Sequence, residues 1–178
     1  MHPNVNHVTP LDSHTGTLTL HYIDTLTKPP GSLGQLEALA VTLSEITGET
    51  KPCITPPAII VFAADHGVAE EGVSAFPQEV TAQMVANFAR GGAAINVFAR
   101  QIGAQVEVVD VGVASHLAMP SITDAKVRAG TANMVLEDAM SRDEALAALQ
   151  VGGEAVERAV QAGAKCIIVY CGPHHQDH

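Results

Sequence analysis

Tryptophan is absent from this chain, and its 178 residues include only two tyrosines and four phenylalanines. So few aromatics exclude base stacking on an aromatic platform as the main activity. Cations are scarce as well: nine Lys and Arg stand against nineteen Asp and Glu, a formal net charge of −10. A protein that neutralises a phosphate backbone needs the opposite balance, so nucleic acid is excluded as a partner. A small anion remains an acceptable ligand, because backbone N–H groups at helix ends bind anions without any cationic residue. Three cysteines, Cys53, Cys166 and Cys171, form neither a disulfide framework nor a zinc spacing, which fits a reducing cytoplasm. Cys166 and Cys171 are an odd number of positions apart in an expected strand, so they face opposite ways and cannot pair. No apolar run approaches membrane-spanning length, and "MHPNVNHVTPLDSHTG" has neither a basic n-region nor an apolar h-region. The expectation is a soluble cytoplasmic protein with no membrane partner.

What is present is apolar and small. Residues of the hydrophobic class make up 47% of the chain, enough for one domain with a real core. Residues 1–27 read as an N-terminal arm with a short helix from Leu18 to Leu26. In "TKPPGSLGQLE" the prolines forbid a helix across Lys28, and Ser32 with Gln35 has the spacing of a capping box. Leu33, Leu36, Leu39, Ala40, Leu43 and Ile46 then keep a helical stripe until Gly48. "AIIVFAA" (58–64) is a continuous apolar run of strand length, as in a strand covered on both faces. Helices are expected over Glu79–Ala89 and Ala93–Ile102, broken by Gly91-Gly92, and a second strand over 105–112. Pro120 and Gly130 mark turns in a mixed stretch. A second capping box, Ser141 with Glu144, opens a helix that ends at Gly163, and "KCIIVYC" (165–171) is a third strand.

Buried strands alternating with helices call for an α/β fold, a parallel sheet with flanking helices and right-handed crossovers. Ligands collect outside the carboxyl ends of the strands in such sheets. That rim receives Asp65-His66-Gly67, Asp110-Val111-Gly112 and Cys171-Gly172. Read locally, Asp-His-Gly is equally a turn and a site. Glu70 and Glu71 read as solvated loop carboxylates. Gln83 and Asn87, four apart on one helix face, suit a polar face toward a ligand or toward water.

Several phrases together are more specific. "LTKPPGSLGQLE", "FAADHGVAEEGVSAFPQEVTAQMVANFARGGAAINVFAR", "VVDVGV" and "GTANM…AMSRDEALAAL" closely resemble the nicotinate-nucleotide:dimethylbenzimidazole phosphoribosyltransferases of cobalamin synthesis, over roughly residues 24–169. The resemblance implies transfer of 5-phosphoribose from nicotinate mononucleotide to 5,6-dimethylbenzimidazole, giving α-ribazole 5′-phosphate and nicotinate. It implies no cofactor, and a homo-oligomer, since the family is similar to homodimeric enzymes. It also implies that Ser74, Phe76, Gln83 and Met84 hold the benzimidazole. Asp65, His66 and Gly67 then shape the pocket at the rim, and Asn133 and Met134 are further contacts. Ordinary packing is the competing reading for Phe76 and Met84.

Family members are about twice this length, so residues 28–170 are expected to be a partial phosphoribosyltransferase-like domain, truncated relative to the family's doubly wound one, followed by a divergent tail, 171–178. Where the family carries a "Gly-Glu-Met-Gly-Ile-Gly-Asn-Thr-Thr"-like loop, this chain reads "YCGPHHQDH", as a frameshifted remnant of that loop would. The glutamate taken as the family's general base lies in the half without a counterpart here, so no catalytic residue is assigned. His174, His175, Asp177 and His178 have irregular spacing for a metal site, and none is assigned; a hydrolase using them with Asp65 and His66 is disfavoured. The alternative to an enzyme is a non-catalytic benzimidazole- or nucleotide-binding module, or a partner of a full-length copy.

Overall fold

A computed structural model describes residues 8–172. The chain divides between Cys53 and Ile54 into two compact units. The expected boundary after residue 27 falls inside the first unit, because the helix that follows Pro29-Pro30 pairs with the one before it.

The first unit is a pair of helices, α1 (Ser13–Asp24) and α2 (Gln35–Thr47). Helix α1 starts five residues before the expected Leu18 because Asp12 caps it: one carboxylate oxygen accepts from the His14 and Thr15 N–H groups, both at 3.1 Å. That bonding, led by the Thr15 hydroxyl, holds the Asp12 carboxyl below its ordinary pKa. The capping box expected at Ser32 and Gln35 does not form. Gly31 and Gly34 have φ of 72° and 54° and make successive turns that leave Ser32 short of the helix, whose N-cap is Gly34. Glu37 works there instead, accepting from Leu33 N at 3.0 Å and pairing with Lys28 at 2.8 Å. The leucine stripe of α2 is not its buried side: Leu33, Leu36, Leu39 and Ile46 are exposed, and Ser44 is the buried position.

The second unit contains a four-stranded parallel sheet, ordered β3-β2-β1-β4, with β1 (Pro57–Ala64), β2 (Gln105–Gly112), β3 (Thr123–Asp124) and β4 (Cys166–Gly172). The α/β expectation holds, with one strand more than expected: β3 is two residues long and carries no strand-length apolar run. Helices α3 (Glu79–Ala89) and α4 (Ala94–Ile102) cover one face, where Ile59, Val61, Ala63 and Val108 meet Val85, Phe88 and Ala99. Helix α5 (Arg142–Gln161) covers the other, where Ala58, Ile60 and Val109 meet Ala155 and Ala159. Central β1 is therefore buried on both sides, as its unbroken apolar run requires. Strand β4 pairs only with β1 among the described residues, and Ile168, Val169 and Tyr170 are exposed rather than buried.

Two local devices fix the helices. Asn96 is buried between α3 and α4, where its amide donates to Phe88 O at 3.1 Å and accepts from Ala93 N at 3.2 Å. Ser141 and Glu144 form the expected capping box, with Ser141 N donating to Glu144 Oε2 at 2.6 Å and Glu144 N to Ser141 Oγ at 3.2 Å. No described helix is long and apolar enough to cross a membrane.

Candidate functional site

The parallel strands bring their carboxyl ends to one rim, and two buried aspartates organise it. Asp65 follows β1; its Oδ2 accepts from Ala114 N at 2.7 Å, and its backbone O from Thr131 N at 3.0 Å. Asp110, in β2, accepts from Val113 N at 2.8 Å through Oδ1 and pairs with Lys126 at 3.1 Å through Oδ2. Lys126 in turn donates to the carbonyls of Val113 and Ser115. Asp110 thus places its two oxygens on a loop N–H and an ammonium, and Asp65 places one on a loop N–H, partners of the kind a buried charge needs. They hold the loops that follow β2 and β3 against the end of β1.

Between that rim and the amino-terminal half of α5 lies a cleft of about 400 Å³. Phe62, Asp65 and His66 contribute from β1 and its exit, Arg128, Gly130 and Thr131 from the loop after β3, and Met140, Glu144, Ala148 and Leu149 from α5 and its approach. The wall is mostly apolar, with Arg128 and Glu144 as an ion pair at 3.7 Å. The backbone N–H of Ser141 and then its hydroxyl hold the Glu144 carboxyl below the ordinary carboxylate range, with Arg128 adding a smaller push the same way.

Of the residues expected from sequence, Asp65 and His66 line this cleft. Gly67 adjoins it: its N–H donates to Thr131 Oγ1 at 3.1 Å, and its Cα lies directly against the backbone of Thr131–Asn133. Asn133 is buried and donates to Glu71 Oε1 at 2.6 Å, so Glu71 tethers a loop instead of only meeting water. Met134 is exposed. Ser74, Phe76, Gln83 and Met84 do not line the cleft. Ser74 Oγ donates to Phe76 O at 2.6 Å and accepts from Phe76 N, which shapes a turn that leaves the Phe76 ring 64% exposed. Gln78 donates to His66 O at 2.9 Å and so ties this turn to the rim. Gln83 is on the exposed side of α3, and Met84 packs against the core beneath it.

Arg128, Thr131, Met140 and Leu149 escaped the sequence reading. Arg128 carried one signal, as one of only nine cations, whereas Glu144 was seen only as a helix cap. Among the described residues no group of three or more His, Cys, Asp or Glu could hold a metal ion. The terminal histidines lie outside the described residues.

A phosphoribosyltransferase family model, DBI_PRT, matches residues 8–170. The nicotinate-nucleotide–dimethylbenzimidazole phosphoribosyltransferase of Chloroflexus aggregans is 54% identical over 89% of this chain, which covers 45% of that protein. The enzyme of the same name from Halalkalibacterium halodurans is 49% identical over 92% of the chain and 46% of its own length. The crystal structure of CobT from Thermus thermophilus superposes with a TM-score of 0.83 at 48% identity, over 89% of this chain and 47% of that one. The chain spans about half the length of these relatives. With the family model covering nearly all described residues, the chain belongs to the DBI_PRT phosphoribosyltransferase family.

Proposed function

We propose that this chain supplies the rim and aromatic-base side of an enzyme that transfers 5-phosphoribose from nicotinate mononucleotide to 5,6-dimethylbenzimidazole. The observation that carries the reading is the 54% identity to a relative named for that reaction, with the family match over residues 8–170 including Phe62, Asp65, His66, Arg128, Thr131 and Leu149 of the cleft. The mostly apolar lining supports a flat aromatic base as ligand. In the reaction the C1–N bond to the nicotinate ring breaks as C1 of the ribose develops oxocarbenium character, a benzimidazole nitrogen bonds C1 from the opposite face with inversion from β to α, and the proton on the other benzimidazole nitrogen passes to a base that this chain does not supply. This chain's contribution is positioning, with water kept from C1 by the apolar wall. Asp65 and His66 belong to the wall and Gly67 shapes it from beside, while Ser74, Phe76, Gln83 and Met84 are the further set of base contacts, on the segment whose turn Gln78 holds to His66. No residue of the chain is given the role of general base, and no cofactor is required. We further propose a cytoplasmic homo-oligomer; the exposed Leu33, Leu36 and Leu39 of the helical pair support association.

Two measurements test the reading. Calorimetric titration of the chain with dimethylbenzimidazole gives saturable binding, and His66→Ala with Phe76→Ala weakens it. Incubation with both substrates gives no α-ribazole 5′-phosphate by chromatography and mass. Absence of saturable binding contradicts the assigned pocket; product from this chain alone contradicts the absence of a base. Binding without turnover is also what a non-catalytic module does, and the half-length coverage favours that as the second reading. Product on adding the remaining half of a relative separates the two.

A further inference from the structure

Three glycines stand inside the described α-helices: Gly16 in α1, and the adjacent Gly152 and Gly153 in α5. A glycine inside a helix costs stability against alanine, so each one calls for a reason. For Gly16 the reason is packing, because a Cβ there runs into the Glu45 side chain. Gly112 at the rim is likewise hemmed in, by Arg128 O at 3.1 Å and Ala64 Cβ at 3.3 Å. Gly152 has no such neighbour. Apart from its own stretch of helix, no atom of the described residues lies within 4 Å of a Cβ built there, and no positive φ demands glycine.

What Gly152 does border is the cleft. Glu144, Ala148, Leu149 and Gly152 line it from α5, spaced as residues of one helix face are. Further along that face Ala155 and Ala159 pack against Ala58, Ile60 and Val109. Nearer the rim the helix and the sheet part, and Gly152 stands where the gap opens. Side chains on a helix lean toward its amino terminus, so any side chain at 152 would extend over Ala148 into that gap. Glycine keeps the gap empty and lets a flat ligand lie against the helix backbone. Glu144 is engaged by Ser141 and Arg128, which leaves depth and apolar contact as what α5 offers a neutral ring. Resting on the reading above, in which the cleft takes the aromatic base, we propose that Gly152 sets the size specificity of this site. Its hydrogen in place of a side chain gives the cleft the depth that a bicyclic ring with two methyl groups needs.

The test compares Gly152→Leu with Gly153→Leu in the full chain. Gly153 is exposed on the same helix, does not line the cleft, and also has open space around a Cβ. Both substitutions remove a helical glycine, so both are expected to raise Tm by about 1–4 °C in circular-dichroism melting. Calorimetric titration separates them. Gly152→Leu binds 5,6-dimethylbenzimidazole about tenfold or more weaker than the wild type and loses less for unsubstituted benzimidazole, whereas Gly153→Leu binds both as the wild type does. A more stable chain with a weaker site is a combination that a purely structural role for Gly152 does not produce. Unchanged binding by Gly152→Leu overturns the proposal. So does an equal loss for both bases, or a fall in Tm, which would show that position 152 is not open. A wild-type chain that binds neither base saturably contradicts the reading of the cleft itself, and the size rule falls with it.

Discussion

Gly67 sits where the exit of β1 touches the loop after β3 more closely than any side chain allows. A Cβ at this position falls 2.6 Å from Thr131 O, Ala132 C and Asn133 N. All three are backbone atoms, so no rotamer change relieves the overlap, and the Thr131–Asn133 loop must retreat by nearly an ångström. That retreat breaks the bond from Gly67 N to Thr131 Oγ1 and loosens the one from Thr131 N to Asp65 O. Overpacking of a fixed neighbour costs about 1–3 kcal/mol and a lost hydrogen bond about 1 kcal/mol, so Gly67→Ala should destabilise by about 2–4 kcal/mol. At roughly 3 °C per kcal/mol for a chain of this size, Tm falls by roughly 6–12 °C. Circular-dichroism melting measures it, with Gly72→Ala as the comparison. Gly72 has φ of 72° but no atom near its missing Cβ, so only backbone strain of about 1 kcal/mol applies there. A Gly67→Ala protein that melts within about 2 °C of the wild type, or higher than Gly72→Ala, refutes the steric argument.

Other substitutions probe other parts of the rim and its supports. Lys126→Met leaves the Asp110 carboxylate buried without its cation; because Lys126 itself is partly exposed, we expect a loss of about 2–4 kcal/mol in urea unfolding, reduced when Asp110→Asn is added. Asn96→Ala strands Ala93 N between α3 and α4 and removes one of the two donors to Phe88 O, which keeps Gly91 N, and should lower stability by about 1–3 kcal/mol, with a smaller loss for Asn96→Asp. Glu144 has a folded pKa below its ordinary 4.5, so its contribution is full above that value and is lost as pH falls through the lower folded pKa. The Tm difference between wild type and Glu144→Gln should therefore close on acidification below about pH 4.5, and a difference that grows there contradicts the assignment.

Sequence patterns reached the elements that local chemistry governs. The bounds of α3 and β2 follow from apolar runs and glycine breaks, and the Ser141–Glu144 box forms because both partners lie within one turn. Ser32 and Gln35 have the same spacing and fail, because Gly31 before Ser32 and Gly34 between the two both take positive φ, and no spacing rule encodes that. The apolar run of β4 predicted burial; its exposure depends on which strand pairs beyond it, which is a property of the sheet and not of the run. The cleft was half legible. Asp65 and His66 stand at a strand exit that topology marks as a site, but Arg128, Thr131 and Leu149 arrive from distant segments and share no local signature. The resemblance-derived set of Ser74, Phe76, Gln83 and Met84 lies outside the cleft, joined to it through Gln78 and His66.

The central claim, that this chain holds the aromatic-base side of a phosphoribosyltransferase site, meets its most direct test in an amide-resolved NMR titration with dimethylbenzimidazole. The account predicts saturable shifts concentrated at Asp65–Gly67, Thr131 and Leu149, with a smaller set at Phe76. Shifts that do not saturate by about 1 mM, or that saturate only at α1 and α2, would contradict it.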